Sequence, residues 1–250
     1  MGRGIMSVTT APQWSAWPDA SAAAAACAEC AVSAVSRALA GKGDATVAFS
    51  GGSTPLKMFA SLAEAHVDWT RVQVFFVDER CVPPDHPDSN YGSVRKHLLD
   101  PCRIPVRNVH RMQGELPPDQ AARLYEGDVR EVFGLSSGDL PYFDFIHLGM
   151  GADCHTASLF PGDVRVHDQE GIAAAVPAAG DRTARITLLP GVLLRARNIA
   201  VLVAGADKAE PLHRVFHAPV DMVQMPAQLV ARSSRKTNWF LDEPAASKLK

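Results

Sequence analysis

Four times along the chain, a short β-leaning run breaks off into glycine or charge and gives way to a helical pattern. Ala45–Phe49 runs into Ser50-Gly51-Gly52-Ser53-Thr54-Pro55, and Val72–Val77 into Asp78-Glu79-Arg80. Phe143–Leu148 runs into Gly149-Met150-Gly151-Ala152-Asp153-Cys154-His155, and Asn198–Ala204 into Gly205-Ala206-Asp207-Lys208. Short apolar runs of this kind suit strands covered on both faces, and strands alternating with helices imply parallel pairing through crossover connections. Parallel strands all end on one edge, where α/β proteins hold their ligands. The four polar junctions are therefore expected on one edge of one sheet.

The remaining elements fit the same scheme. An Ala-rich helix is expected over Ser21–Leu39, ended by Gly41-Lys42-Gly43. Leu56, Phe59, Ala60 and Ala63 have helical spacing, and Ser53-Thr54-Pro55 reads as a hydroxyl cap with proline in the first turn. Helices are expected over Tyr91–Leu99 and Pro118–Phe133, the second burying Leu124, Tyr125, Val129, Val132 and Phe133. Ile172–Val176, Ala184–Leu188 and Thr237–Leu241 read as strands, Pro190-Gly191 and Met225–Leu229 as helical turns. Pro211 is awkward for the helix after Lys208 and suggests a later start. With no internal repeat or low-complexity linker, the expectation is one α/β domain over 19–250 around a mostly parallel sheet, behind a variable leader over 1–18.

Composition excludes several function classes. With 25 Lys and Arg against 27 Asp and Glu, there is no electrostatic footprint for nucleic acid or an anionic membrane. No apolar run is read as long enough to cross a bilayer, and the N-terminus lacks the apolar centre of a signal peptide. Met6 occupies the position where a myristoylation signal has Ser or Thr. Five irregularly spaced cysteines point to reduced thiols and a cytoplasmic setting. Cys27-x-x-Cys30 lies inside the Ala-rich helix and is read as packing rather than as a redox or metal motif. His213 and His217, four apart, lack a third ligand, and His147 reads as a structural residue inside a strand.

Pooled on one edge, the junctions supply an anion cradle (Gly51, Gly52, Ser53, Thr54), two cations (Arg80, Lys208) and an imidazole beside a carboxylate (His155, Asp153). Free N–H groups at a glycine-flanked helix start suit a phosphate, and an imidazole suits proton transfer near neutral pH. The glycine loop is neither a Walker loop nor a nucleophile elbow, since Thr54-Pro55 follows Ser53.

These motifs resemble the 6-phosphogluconolactonase family. The resemblance rests on Ser50–Pro55, Val77–Arg80, Ser89-Asn90, Gly149-Met150-Gly151, Asp153 and His155-Thr156-Ala157-Ser158-Leu159-Phe160-Pro161, with Arg185-Ile186-Thr187 and Gly205–Ala209. In order, they run from about Thr46 to Asp242. The resemblance implies a Rossmann-like fold, helices on both faces of the sheet, and hydrolysis of 6-phospho-D-glucono-1,5-lactone in the oxidative pentose phosphate pathway. It implies His155 as general base, Asp153 as its orienting partner, and Arg80 and Lys208 on the phosphate with Ser53, Thr54 and Arg185 nearby. Gly51, Gly52, Asp78, Asn90 and Gly151 complete the implied substrate-binding set. No metal or organic cofactor is implied, and the only implied partner is the sugar-phosphate lactone, taken by a monomer or small homo-oligomer.

Two alternatives carry discriminators. A glucosamine-6-phosphate deaminase of the same fold would tend to read Asp-Glu-Tyr at 78–80 and Asn-Glu-Pro at 159–161. A non-catalytic sugar-phosphate sensor would need no His155 and would carry an appended DNA-binding segment. The chain departs from the family at Cys154, where glycine is usual. A positive φ there is expected to cost on the order of 1 kcal/mol.

Overall fold

A computed structural model of the chain describes residues 11–232 and 237–249. Its strands are β1 (Gln13–Trp17), β2 (Ala45–Phe49), β3 (Val72–Phe76), β4 (Asp78–Arg80) and β5 (Val109–His110). They continue with β6 (Phe145–Leu148), β7 (Ala173–Val176), β8 (Arg185–Leu188), β9 (Ile199–Val203) and β10 (Thr237–Asp242). Seven of them form a wholly parallel sheet in the order β1-β10-β9-β6-β2-β3-β5, and β4-β8-β7 form a small antiparallel sheet.

Strand alternation sorts the core onto the two faces of the main sheet. Val47, Phe49, Val74, Phe76 and Phe145 face helices α1 (Ala20–Lys42) and α2 (Leu56–Glu64). The short α3 (Asn90–Val94) packs beside α2 and β4, with Val94 in this same cluster. Phe75, Ile146, Leu148, Val201 and Trp239 face the other way, toward α4 (Pro118–Phe133), the small sheet, α5 (Pro190–Leu193) and α6 (Ala209–His217). The expected α/β class, with helices on both faces of a mostly parallel sheet, is the observed one.

Helix α1 shows how the sequence encodes an element. The Asp19 carboxylate accepts from the N–H groups of Ser21 and Ala22 at 2.8 and 2.9 Å, and Gly43 ends the helix at φ 91°. Its buried stripe is Ala23, Ala24, Cys27, Ala28, Ala31 and Ala34, small enough to bring the helix close to the sheet. Cys27 is thus a packing residue, and burial pushes its thiol well above the ordinary value. One expectation needs correcting here. At 23 residues, α1 is long and apolar enough to cross a membrane by length and composition, because alanine counts as apolar in such a measure. In the structure its stripe is sealed against the sheet.

Other elements depart from the sequence reading. Of the expected leader, residues 1–10 lie outside the described residues, while Gln13–Trp17 pair in parallel with Asn238–Asp242 as the edge strand β1. Leu124, expected on the buried face of α4, is 46% exposed; Ala121, Ala122, Tyr125 and Val129 make that face. Pro211 sits inside α6 in its first turn, where backbone N–H groups lack intrahelical partners anyway. The chain closes with α7 (Gln228–Ala231) and α8 (Glu243–Ala246), the latter capped by Asp242, whose carboxylate accepts from Ala245 N–H at 2.8 Å.

The strand order reverses between β2 and β6: β2 is followed on one side by β3, and β6 on the other by β9. The register aligns the strand ends across this point. Phe49 pairs with both Phe76 and His147, Ser50 N–H donates to the His147 carbonyl at 3.2 Å, and Val77 N–H donates to Phe49 at 3.0 Å. Three of the four junctions thereby start at one level, with the end of β9 beside them. A crevice at such a reversal is where open α/β sheets place their ligands.

Candidate active site

The crevice holds a cavity of about 270 Å³. Gly51, Gly52, Ser53, Thr54, Asp78, Arg80, Asn90, Gly151, His155, Arg185 and Lys208 all line it. Asp153 does not line the cavity but bonds the ring of His155 from behind. All four junctions thus converge as expected, although the small antiparallel sheet, absent from the sequence reading, supplies part of the wall.

The first junction is built to receive an anion. The N–H groups of Gly51, Gly52, Ser53 and Thr54 donate to no acceptor among the described residues. The expected hydroxyl cap does not form: α2 starts after Pro55 with no side-chain cap, so the Ser53 and Thr54 hydroxyls stay with the loop. Gly52 has φ 100°, and a Cβ on Gly51 would run into the Asn90 side chain. The far end of the loop is tied down by Phe59 of α2, edge-on to Phe49 at 5.5 Å, a geometry worth about 0.5–1.5 kcal/mol beyond its buried area.

The second junction divides its three charges by the two-residue period of a strand. Asp78 and Arg80 face the cavity. Glu79 is buried on the other side and accepts from the N–H groups of Arg80, Asn90 and Tyr91 and from the Ser89 hydroxyl. Burial pushes its carboxyl up, against the pull of those donors. Glu79 thereby folds the 89–91 turn that presents Asn90. Asn90 Nδ2 donates to the Asp78 carbonyl at 2.9 Å, and Asp78 Oδ2 accepts from Ser158 Oγ at 2.7 Å. None of residues 82–88 lines the cavity.

Antiparallel pairing of β4 with β8 sets Arg80 directly opposite Arg185. Like charges opposite each other are destabilising. Arg185 shows it: burial, then the neighbouring Arg80, depress its pKa. Each guanidinium has a buried Nε without a partner, and no carboxylate pairs with either among the described residues. Lys208 completes the cations, held 3.1 Å from the Asp207 carboxylate. A site with clustered guanidiniums, neither of them in an ion pair among the described residues, beside free N–H groups is suited to a doubly charged anion.

The third junction is folded back on itself. Gly151 N–H donates to the His155 carbonyl at 3.0 Å, and Cys154 N–H to the Gly151 carbonyl at 3.0 Å. Gly151 N–H is therefore engaged and unavailable to a developing oxyanion. A Cβ on Gly151 would strike the His155 ring and the Asp153 carboxylate, so only glycine fits. His155 Nδ1 lies 2.6 Å from Asp153 Oδ1, which fixes Nδ1–H as the donor and leaves Nε2 basic toward the cavity. Partial burial pushes the Asp153 carboxyl up, but the hydrogen bond and charge of His155 outweigh it and hold the pKa below the ordinary value. Cys154 adopts φ 69°, the left-handed conformation expected for the glycine it replaces. Its side chain is fully buried, with Sγ 3.8 Å from the Pro211 carbonyl.

Sequence reasoning gave no site role to several further lining residues, among them Ser50, His147, Ser158 and Phe160. His147 is 1% exposed, and neither ring nitrogen makes a hydrogen bond of good geometry. Burial lowers its pKa to about 3, opposed by the Ser50 backbone. The available signal was parity: His147 alternates with Phe145 toward the face that carries Phe49 and Phe59. His213 and His217, whose ring centroids are 4.8 Å apart on α6, belong to no cluster of three or more potential metal ligands among the described residues.

Comparison with known proteins places this geometry. Residues 18–239 match the family model described as glucosamine-6-phosphate isomerases/6-phosphogluconolactonase. A 6-phosphogluconolactonase of Synechocystis is 37% identical over 216 residues, covering 86% of this chain and 89% of the relative. The crystal structure of a 6-phosphogluconolactonase from Thermotoga maritima superposes with a TM-score of 0.80 at 28% identity, covering 92% of this chain and 99% of that one. A monomeric glucosamine-6-phosphate deaminase shares the fold at a TM-score of 0.79 with 16% identity, covering 94% and 99%.

Proposed function

Because the chain belongs to the glucosamine-6-phosphate isomerase/6-phosphogluconolactonase family, we propose that this cavity hydrolyses 6-phospho-D-glucono-1,5-lactone to 6-phosphogluconate. The observation that carries the reading is the placement, in one crevice, of an anion cradle and an imidazole whose second nitrogen is fixed by a carboxylate.

The 6-phosphate is taken by the free N–H groups of Gly51–Thr54 together with Arg80, Arg185 and Lys208. Asp78 and Asn90, locked to each other and to Ser158, offer acceptors to ring hydroxyls. His155 Nε2 removes a proton from a water as its oxygen attacks C1, and negative charge moves onto the carbonyl oxygen. Asp153 stabilises the imidazolium formed. As the C1–O5 bond breaks, the imidazolium returns its proton to the departing ring oxygen, leaving the open-chain carboxylic acid, which loses its remaining proton to solvent to give the carboxylate product. General base catalysis contributes about 10²–10⁴-fold, and positioning and charge stabilisation supply the rest. The setting proposed is the cytoplasm, where the five thiols remain reduced.

The test is a coupled assay with freshly generated lactone, corrected for spontaneous hydrolysis. His155→Ala is expected to lose at least about 10²-fold in kcat with its fold intact. Turnover like that of the wild type would overturn the assignment, and ammonia release from glucosamine 6-phosphate would redirect it to the deaminase branch.

A further inference from the structure

One hydrogen bond does not fix an imidazole. The contact from His155 Nδ1 to Asp153 Oδ1 holds one edge of the ring, and Gly151 lies against it. The ring also packs on Phe160, whose ring centroid lies 4.6 Å from that of His155, with the planes inclined by 42°. Phe160 is itself only half-buried and sits on a loop. Its other restraint comes from far along the chain: the guanidinium carbon of Arg182 lies 3.6 Å from the Phe160 ring centroid.

Arg182 stands at the tip of the hairpin that joins β7 to β8. Reciprocal backbone bonds between Ala179 and Arg182, at 3.1 and 3.0 Å, close that tip. No carboxylate pairs with Arg182 among the described residues, and its buried Nε has no partner. The aromatic face is therefore what holds the guanidinium, in a cation–π contact. Arg182 does not itself line the cavity, although its charge reaches Arg185, which does.

We infer that Arg182 is a positioning residue: by clamping Phe160 it fixes the plane of the His155 ring and so the direction in which Nε2 meets the attacking water. This rests on the proposed role of His155. The same hairpin carries Arg185 into the cavity three residues later, so a single element serves both the phosphate end and the reacting end of the site.

The test compares wild type with Arg182→Ala, Arg182→Lys, Phe160→Leu and the double variant Arg182→Ala/Phe160→Leu. Misplacing a catalytic group by about 1 Å costs up to ~10²-fold, so Arg182→Ala is expected to lower kcat about tenfold. KM should stay within about twofold of wild type, and Arg182→Lys, which keeps a cation for the ring, should recover most of the loss. The double variant should be no slower than Phe160→Leu, because both changes remove one linkage. An unchanged kcat, a rise in KM instead, or additive losses would each overturn the inference.

A second readout does not depend on turnover. The His155 Hε1 proton resonance, assigned by its disappearance in His155→Ala, carries a ring-current shift from Phe160. Arg182→Ala should move it toward its position in Phe160→Leu. If the resonance stays put, Arg182 does not position the ring, whatever reaction the site performs. If instead wild type shows no lactone turnover while the resonance moves, the functional proposal fails and the positioning role stands.

Discussion

The two glycine loops on the ligand edge use the same residue type for opposite ends. Gly51–Thr54 leave their backbone donors unpaired among the described residues, so the loop is a receptor that an anion completes. Gly149–His155 is instead cross-linked within itself, Gly151 N–H to the His155 carbonyl, Cys154 N–H to the Gly151 carbonyl and His155 N–H to the Asp153 carboxylate, so its fold is set before any ligand arrives. A binding loop needs open valences; a loop carrying a general base needs a fixed geometry. The residues beneath them differ accordingly. Under the first lies His147, buried and lacking good hydrogen bonds; the second turns on Cys154, which is strained but fully packed.

Exchanging the two glycine roles is the strongest way to break this contrast. Gly151→Ala would drive a methyl into the His155 ring and should lower kcat by about 10²-fold or more, comparable to loss of the base itself. Gly51→Ala would instead displace Asn90 and the cradle, raising KM about tenfold with a smaller change in kcat. Steady-state kinetics on both variants checks this, and a shared kcat defect would erase the distinction.

The buried imidazole under the receptor loop should show in acid stability. Its folded pKa of about 3 lies below the ordinary 6.5, so as pH falls the unfolded chain binds the proton first. The neutral His147 is therefore harmless above about pH 6.5, and stability is lost progressively between there and about 3. The slope is at most about 1.4 kcal/mol per pH unit. Denaturant melts from pH 7 to 4 should show a shallower decline for His147→Leu than for wild type; parallel curves would contradict the burial argument.

The smallest expected effect sharpens the other loop. Cys154→Gly removes a Cβ from a left-handed backbone but also empties a packed site. The strain relieved is on the order of 1 kcal/mol, offset in part by the lost thiol contacts. A net change within about 1 kcal/mol, with kcat kept or raised, is expected from thermal melts and assays. A large loss of kcat would mean that the thiol, through Pro211, places the loop.

Legibility followed the same division. The parallel strands could be read because both faces are buried: Val72–Phe76 carries apolar residues in either direction. Strand β1 could not, since an edge strand with Gln13, Ser15 and Ala16 exposed has the pattern of a tail. Asp78–Arg80 lacked any apolar alternation, and its strand character comes from pairing with residues more than a hundred positions away. Charged and glycine-rich site residues announce themselves, and all four junctions were found. Phe160 and His147 did not, because an aromatic and a strand histidine look structural until a cavity and a neighbour give them direction. The small sheet was the larger omission, since it turns Arg80 and Arg185 toward each other.

That cross-strand arginine pair has a practical corollary for handling the protein. With the phosphate role proposed above, the arginine pair carries an internal electrostatic load that any tightly held dianion discharges, and ligand linkage adds RT ln(1 + [L]/Kd) to the folded state. Shelf life should thus depend on the anion in the storage buffer as well as on its pH, with inorganic phosphate preserving what an amine buffer of equal ionic strength lets decay.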